Sequence, residues 1–153
     1  MLFRSAADSQ SSSQVGDISR FHGMNLITPT EREARISARN HEDGLVVMAE
    51  QLRKQASAEN LLIKLGEEGV LIHPGETDPH FGLDDRISAL NSAAKDTSGA
   101  GDSLLIASAM ALASGASIWE AACIGSLAAA IQVGRIGNTP IQAHELLQEL
   151  TRH

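Results

Sequence analysis

Apolar and polar positions divide this chain into short and long blocks in turn. Residues 24–28 form a short apolar run stopped by Pro29, the pattern of a buried strand. Thr30 follows as a helix N-cap, and Glu33, three residues on, completes a capping box, so a helix is predicted to start there. Polar residues through His41 break the pattern. Residues 44–56 then place Leu45, Met48, Ala49 and Leu52 on one face of an amphipathic helix. Residues 60–65 and 70–73 are two further strand candidates, and Gly66-Glu67-Glu68-Gly69 between them reads as a hairpin turn. Residues 73–85, with Pro74, Gly75, Pro79 and Gly82, read as loop, and 86–90 as a short strand. Helices are predicted at about 100–114, 118–133 and 142–151, marked off by Gly115 and the 134–140 turn. The polar, serine-rich residues 5–19 read as a loop, and no internal repeat is visible.

Strands alternating with helices, with three helices at the end, predict an α/β sheet covered on both faces. Three or four strands make a thin sheet for such a fold, so a structural neighbour is expected. At 153 residues the chain is one domain or a piece of one, long enough for a sizeable core. Aromatic residues are only 3%, so the core must be built from Leu, Ile, Val and Ala. A net charge of −7 with no basic stripe argues against a nucleic-acid partner. The single Cys123 excludes an intrachain disulfide framework and suits a reducing cytosol. It falls in an apolar helical pattern, so a buried thiol is expected. The first 13 residues lack the apolar core of a signal peptide, and no segment has the apolar length of a membrane span, so a cytoplasmic protein without a membrane partner is expected.

The densest chemistry lies in Lys95-Asp96-Thr97-Ser98-Gly99-Ala100-Gly101-Asp102-Ser103, directly ahead of the alanine-rich helix. A glycine-rich turn feeding a helix start presents free backbone N–H groups at the positive end of the helix dipole, a place for an anion such as phosphate. Asp102 sits on that same turn. A carboxylate beside a phosphate site is costly unless it has a task, such as taking a proton from an attacking hydroxyl. Gly-Ala-Gly alone reads more readily as an ordinary tight turn with an acidic N-cap. No Gly-Lys-Ser/Thr follows, so this is not a Walker A loop, and the third glycine of a dinucleotide-binding fingerprint is missing.

The longer string Asp96-Thr97-Ser98-Gly99-Ala100-Gly101-Asp102 resembles the signature of the ribokinase-like (PfkB) carbohydrate kinases. Three other blocks resemble that family in order and spacing. They are Ile27-Thr28-Pro29-Thr30-Glu31-Arg32-Glu33, the turn Leu65–Val70, and Ala128 through Gly137. Asp8 resembles an acidic residue at the end of a strand preceding the first block. The likeness covers about residues 5–150, and within the family it is greatest to the kinase domain that phosphorylates heptose 7-phosphate in making ADP-heptose.

The resemblance implies a three-layer αβα ribokinase-like fold of which residues 1–153 are the C-terminal, nucleotide-binding and catalytic half, with an incomplete sheet and no lid. It implies ATP and magnesium as cofactors, with a monovalent cation in some members, and a sugar or sugar phosphate as substrate. Asp102 would be the general base, and Gly99, Ala100 and Gly101 the anion hole. Glu33 would help hold magnesium through water. Lys64, Gly66, Glu67 and Gly69 would line the nucleotide's phosphate and ribose side, Asp96 and Thr97 would support the loop, and Gly134 and Gly137 would close the adenine pocket. Two positions depart from the family pattern. Thr30 stands where the family has Asn, losing an amide donor. Lys64 stands where it often has Thr or Ser, and reads either as a phosphate contact or as a solvated strand-end charge. Family members are about twice as long, and their first half carries the sugar-binding residues.

The six histidines, His22, His41, His73, His80, His144 and His153, show no ligand spacing and read as surface or loop residues. By itself Glu67-Glu68 reads as a solvated turn, Asp84-Asp85 as a turn cap, and Trp119 as a packing anchor. Two functions follow. One is an ATP-dependent sugar kinase half. The other is a truncated module that binds nucleotide or a partner without catalysis, its exposed sheet edge pairing into a homo-oligomer.

Overall fold

The computed structural model describes residues 5–8, 16–91, 93 and 95–152. The serine-rich run 9–15, the middle of the predicted N-terminal loop, lies outside them, as do residues 1–4 of the segment read for a signal peptide and His153.

Five short strands form one sheet: β1 (Ala6–Ala7), β2 (Leu26–Ile27), β3 (Asn60–Lys64), β4 (Val70–His73) and β5 (Asp85–Ile87). They lie side by side in chain order. The first three are parallel, with Ala7 opposite Ile27 and Ile27 opposite Leu61, while β4 runs antiparallel to both its neighbours. Around them pack α1 (Glu31–Ala38), α2 (Leu45–Ala56), α3 (Ala100–Ala113), α4 (Ile118–Val133) and α5 (Ala143–Leu150).

Period-two alternation assigns every strand residue to a face. Ile27, Leu61, Ile63 and Leu71 pack against Ala34, Met48, Ala49 and Leu52 of α1 and α2. Leu26, Leu62, Val70 and Ile72 pack against Leu104, Ile118 and Ala122 of α3 and α4. Both faces are covered, which is why β3 reads as an unbroken apolar run. This is the expected three-layer arrangement, with low aromatic content compensated by Leu, Ile and Ala. Thr30 caps α1 as the sequence predicts. Its hydroxyl accepts from the Glu33 N–H at 3.2 Å, and the Glu33 carboxylate accepts from the Thr30 N–H at 2.7 Å. Among the described residues no helix is long and apolar enough to cross a membrane.

Several expectations need correction. β1 and a 3-10 turn at Ile18–Arg20 lie within the predicted loop; a two-residue Ala-Ala strand carries no hydrophobic pattern of its own. The sheet therefore has five strands. The predicted hairpin between β3 and β4 is present, its connection formed by a 3-10 turn, Gly66–Glu68, whereas β5 ends at Ile87, which releases residues 88–90 from the sheet. Cys123 is exposed, because α4 is apolar around its whole circumference and periodicity could not tell its faces apart.

His73 is buried, not a surface residue. It bridges two carboxylates, Glu50 through Nε2 at 2.8 Å and Asp84 through Nδ1. Asp84 thus ties the 74–84 loop back to the sheet rather than capping a turn. Arg53 donates to Glu50 at 2.9 Å and to Glu76 at 2.9 Å, and its guanidinium lies over the Phe81 ring. Hydrogen bonds from Arg53, then from His73 and Lys54, outweigh burial and pull the Glu50 carboxyl down from 4.5 to about 2. A depressed carboxyl contributes stability above its unfolded value and loses it as pH falls through the folded one. The chain should therefore lose stability between about pH 4.5 and 2 through Glu50. Acid titration followed by circular dichroism should show this loss, and Glu50→Gln should flatten it; an unchanged acid limb in that variant would refute the account.

Candidate active site

Alternation along the parallel strands also fixes what gathers at their carboxyl ends, where open α/β sheets bind ligands. Lys64 lies two residues beyond Leu62 and opposite Val70, so it shares the face covered by α3 and α4. Asp8, two beyond Ala6, reaches the same side, and its carboxylate accepts from the Lys64 ammonium at 2.6 Å. Thr30 bridges to Lys64 at the end of β2.

α3 begins at the same end. Its N-cap, Gly99, is left-handed (φ 75°) and provides no side chain to satisfy the first turn. Ala100 N–H reaches Thr97 O at 3.3 Å, while the N–H groups of Gly101 and Asp102 find no acceptor among the described residues. Glycine is required at 99 on two counts, its positive φ and the Asn138 amide packed against its Cα. The loop before α3 is pinned to the turn after α4 from both sides. Asp96 accepts from Ser98 N–H at 2.9 Å and from Gly137 N–H at 3.1 Å. The fully buried Gln132 amide donates to Ser98 O at 3.3 Å and to Gly137 O at 3.0 Å. The Ser98 N–H and hydroxyl, then the Gly137 N–H, hold the Asp96 carboxyl below the usual carboxylate range.

A cavity of about 410 Å³ opens between these elements. The β3–β4 turn supplies Lys64, Gly66, Glu67 and Gly69, and the start of α3 supplies Thr97, Ala100, Gly101 and Leu104. The opposite wall is apolar, made by Ala129, Ala130 and Val133 of α4. A pocket of this size, apolar on one side with backbone donors at one end, suits a flat ring and an anionic tail.

The structure thus brings together Lys64, Gly66, Glu67, Gly69, Thr97, Ala100 and Gly101 on one cavity. Gly99, Asp96 and Gly137 stand behind it as loop supports, and Gly134 packs against the Asn91 amide. Asp102 is exposed on the first turn of α3, beside the cavity rather than in its wall. Glu33 is buried and its Oε2 closes the α1 capping box. Among the described residues no three His, Cys, Asp or Glu side chains cluster as a metal site. Sequence reasoning missed Ser88, Ala89, Leu90 and Asn91, which line the cavity just past β5, and Ser126 on α4. The only signal was the polar break at Asn91, obscured by reading 86–90 as strand.

A model of the pfkB family carbohydrate kinases matches residues 3–144. The chain is similar to the bifunctional protein HldE of Methylobacillus flagellatus, 33% identical over 88% of this chain and 27% of that one. It is also similar to that of Nitrosococcus oceani, 35% identical over 88% of this chain and 28% of that one. Among solved structures it resembles a Thermotoga maritima ribokinase (TM-score 0.73, 27% identity, 86% of this chain and 43% of that one). In fold it also resembles phosphofructokinase-2 of Escherichia coli solved with potassium (TM-score 0.77, 18% identity, 96% and 46%). The chain spans about a quarter of those curated relatives and less than half of those solved chains.

Proposed function

The chain belongs to the pfkB family of carbohydrate kinases, and on that premise we propose that it is the nucleotide-binding and catalytic half of an enzyme that phosphorylates a sugar or sugar phosphate from ATP. One observation carries this reading: the uncapped start of α3 opens on the cavity, with Asp102 on the same turn. In it, the adenine ring lies on the apolar α4 wall and the phosphates run along the β3–β4 turn toward Gly99–Gly101. Asp102 accepts the proton of the attacking hydroxyl as that oxygen bonds to the terminal phosphorus, and the bond from phosphorus to ADP breaks. The N–H groups of Gly101 and Asp102 stabilise the charge on the transferred group without moving, since Asp96 and Gln132 have already fixed their loop.

Magnesium would supply charge neutralisation on the phosphates, keeping most of its waters and needing only one or two carboxylates. Glu33, buried on the first turn of α1 after β2, would hold it only through an intervening water, since its Oε2 already serves the cap. The hydroxyl donor approaches from the exposed side of Asp102, so sugar recognition comes from residues outside the described chain. Similarity to the HldE proteins and the sequence likeness to heptose 7-phosphate kinases make a heptose phosphate the first acceptor to try.

The test is transfer of radiolabelled phosphate from ATP by the complete native polypeptide against a panel of sugars and sugar phosphates. Product formed only with acceptor present is expected. ATP binding without transfer to any acceptor would favour the non-catalytic module instead.

A further inference from the structure

Resting on that reading and going beyond it, we propose that Lys64 is a phosphoryl-contacting residue, its ammonium held on Asp8 until ATP binds and then passed to the terminal phosphoryl group. The sequence leaves Lys64 as a phosphate contact or a solvated strand-end charge. A solvated lysine would extend into water, whereas this side chain is only 18% exposed and its partner Asp8 only 11%. A paired charge withdrawn this far from water gains little stability from the pairing alone, because desolvation offsets the attraction. Stability is therefore a poor reason for a lysine here, and the cavity supplies a better one.

Three features converge. Lys64 lines the cavity, and Asp8 is its single acceptor among the described residues, while an ammonium has three donors to place. Gly101 leaves the way to it open: a side chain at position 101 would begin 3.1 Å from Lys64 Nζ. The N–H of Gly101 itself has no acceptor among the described residues. An anion drawn to the start of α3 therefore meets a fixed cation at the same spot. It also meets the Asp8 carboxylate, which would lie 3.9 Å from that same side-chain position and repels it.

Binding of the terminal phosphoryl group thus pulls the ammonium from Asp8 toward the new oxygens. No bond to carbon or nitrogen forms at Lys64 and no proton leaves it. The ammonium exchanges one oxygen partner for another, and Asp8 acts as a counter-ion that competes with substrate.

The two residues should then have opposite effects, which a merely structural ion pair would not show. The experiment is calorimetric titration of the complete native polypeptide with ATP and with ADP in magnesium, for the wild type and for Lys64→Met, Lys64→Arg and Asp8→Asn. Loss of a charge-assisted contact to the terminal phosphate should weaken ATP by about 10–100-fold in Lys64→Met. ADP, which lacks that group, should change far less, and Lys64→Arg should recover part of the loss. Asp8→Asn should tighten ATP relative to ADP. If Lys64→Met does not fold, the signs for Lys64→Arg and Asp8→Asn decide the matter. An unchanged ratio of ATP to ADP affinity in the Lys64 variants, or weaker ATP binding by Asp8→Asn, overturns the inference while leaving the kinase reading standing. A wild type that binds neither nucleotide overturns both.

Discussion

Asp102→Asn in the complete native polypeptide is expected to lower kcat by about 10²–10⁴-fold, the usual contribution of a positioned general base. Asparagine keeps the size and position of the side chain on the first turn of α3 and removes only its ability to take a proton. ATP affinity should be nearly unchanged, because Asp102 stands beside the cavity and its carboxylate makes no hydrogen bond to a described residue. Removing a negative charge next to the phosphates could even tighten ATP slightly. The informative result is the split: chemistry lost, binding kept. Turnover within a few-fold of wild type would remove Asp102 from the role of base. Parallel loss of turnover and of ATP binding would mean instead that the substitution had disturbed the α3 turn.

The second large effect is on the backbone. Gly69→Val should destabilise the chain by about 3 kcal/mol, combining the cost of a side chain at positive φ with that of overpacking. Gly69 has φ 99°, a region that suits glycine. A Cβ there would overlap the Ile87 carbonyl and lie 2.7 Å from the Ala89 nitrogen. Both obstacles are backbone atoms of β5 and the segment after it, which cannot swing aside as a side chain would. Denaturant unfolding measures the loss. Because residues 88–91 line the cavity, nucleotide affinity should fall as well. A variant as stable as wild type would show that β5 does not cross Gly69 this closely.

Much of this fold was legible because its signals are local. The capping box at Thr30 and Glu33, the apolar face of α2 and the positive φ of Gly66 each act within a few residues of themselves. The cavity was legible in its glycine-rich parts for the same reason. What escaped depends on partners distant in sequence. β1 exists because β2 pairs with it, and two alanines announce nothing on their own. His73 is buried because Glu50 and Asp84 converge on it from 23 and 11 residues away. Ser88–Asn91 line the cavity because β5 stops at Ile87, an end set by pairing with β4 rather than by composition. Lys64 was recognised as an anomaly, but only the Asp8 carboxylate 56 residues away shows where its charge points.

The strands lie in space in the order in which they occur in the chain. Of these five, β1 leaves the ribosome before the rest, and each later one arrives beside the strand made just before it, with none of the five to part. Within this segment construction runs in one direction, and the loop before α3 and the turn after α4 emerge once all five strands have been made. Misfolding after the strands have paired would then disturb the cavity before it disturbs the sheet.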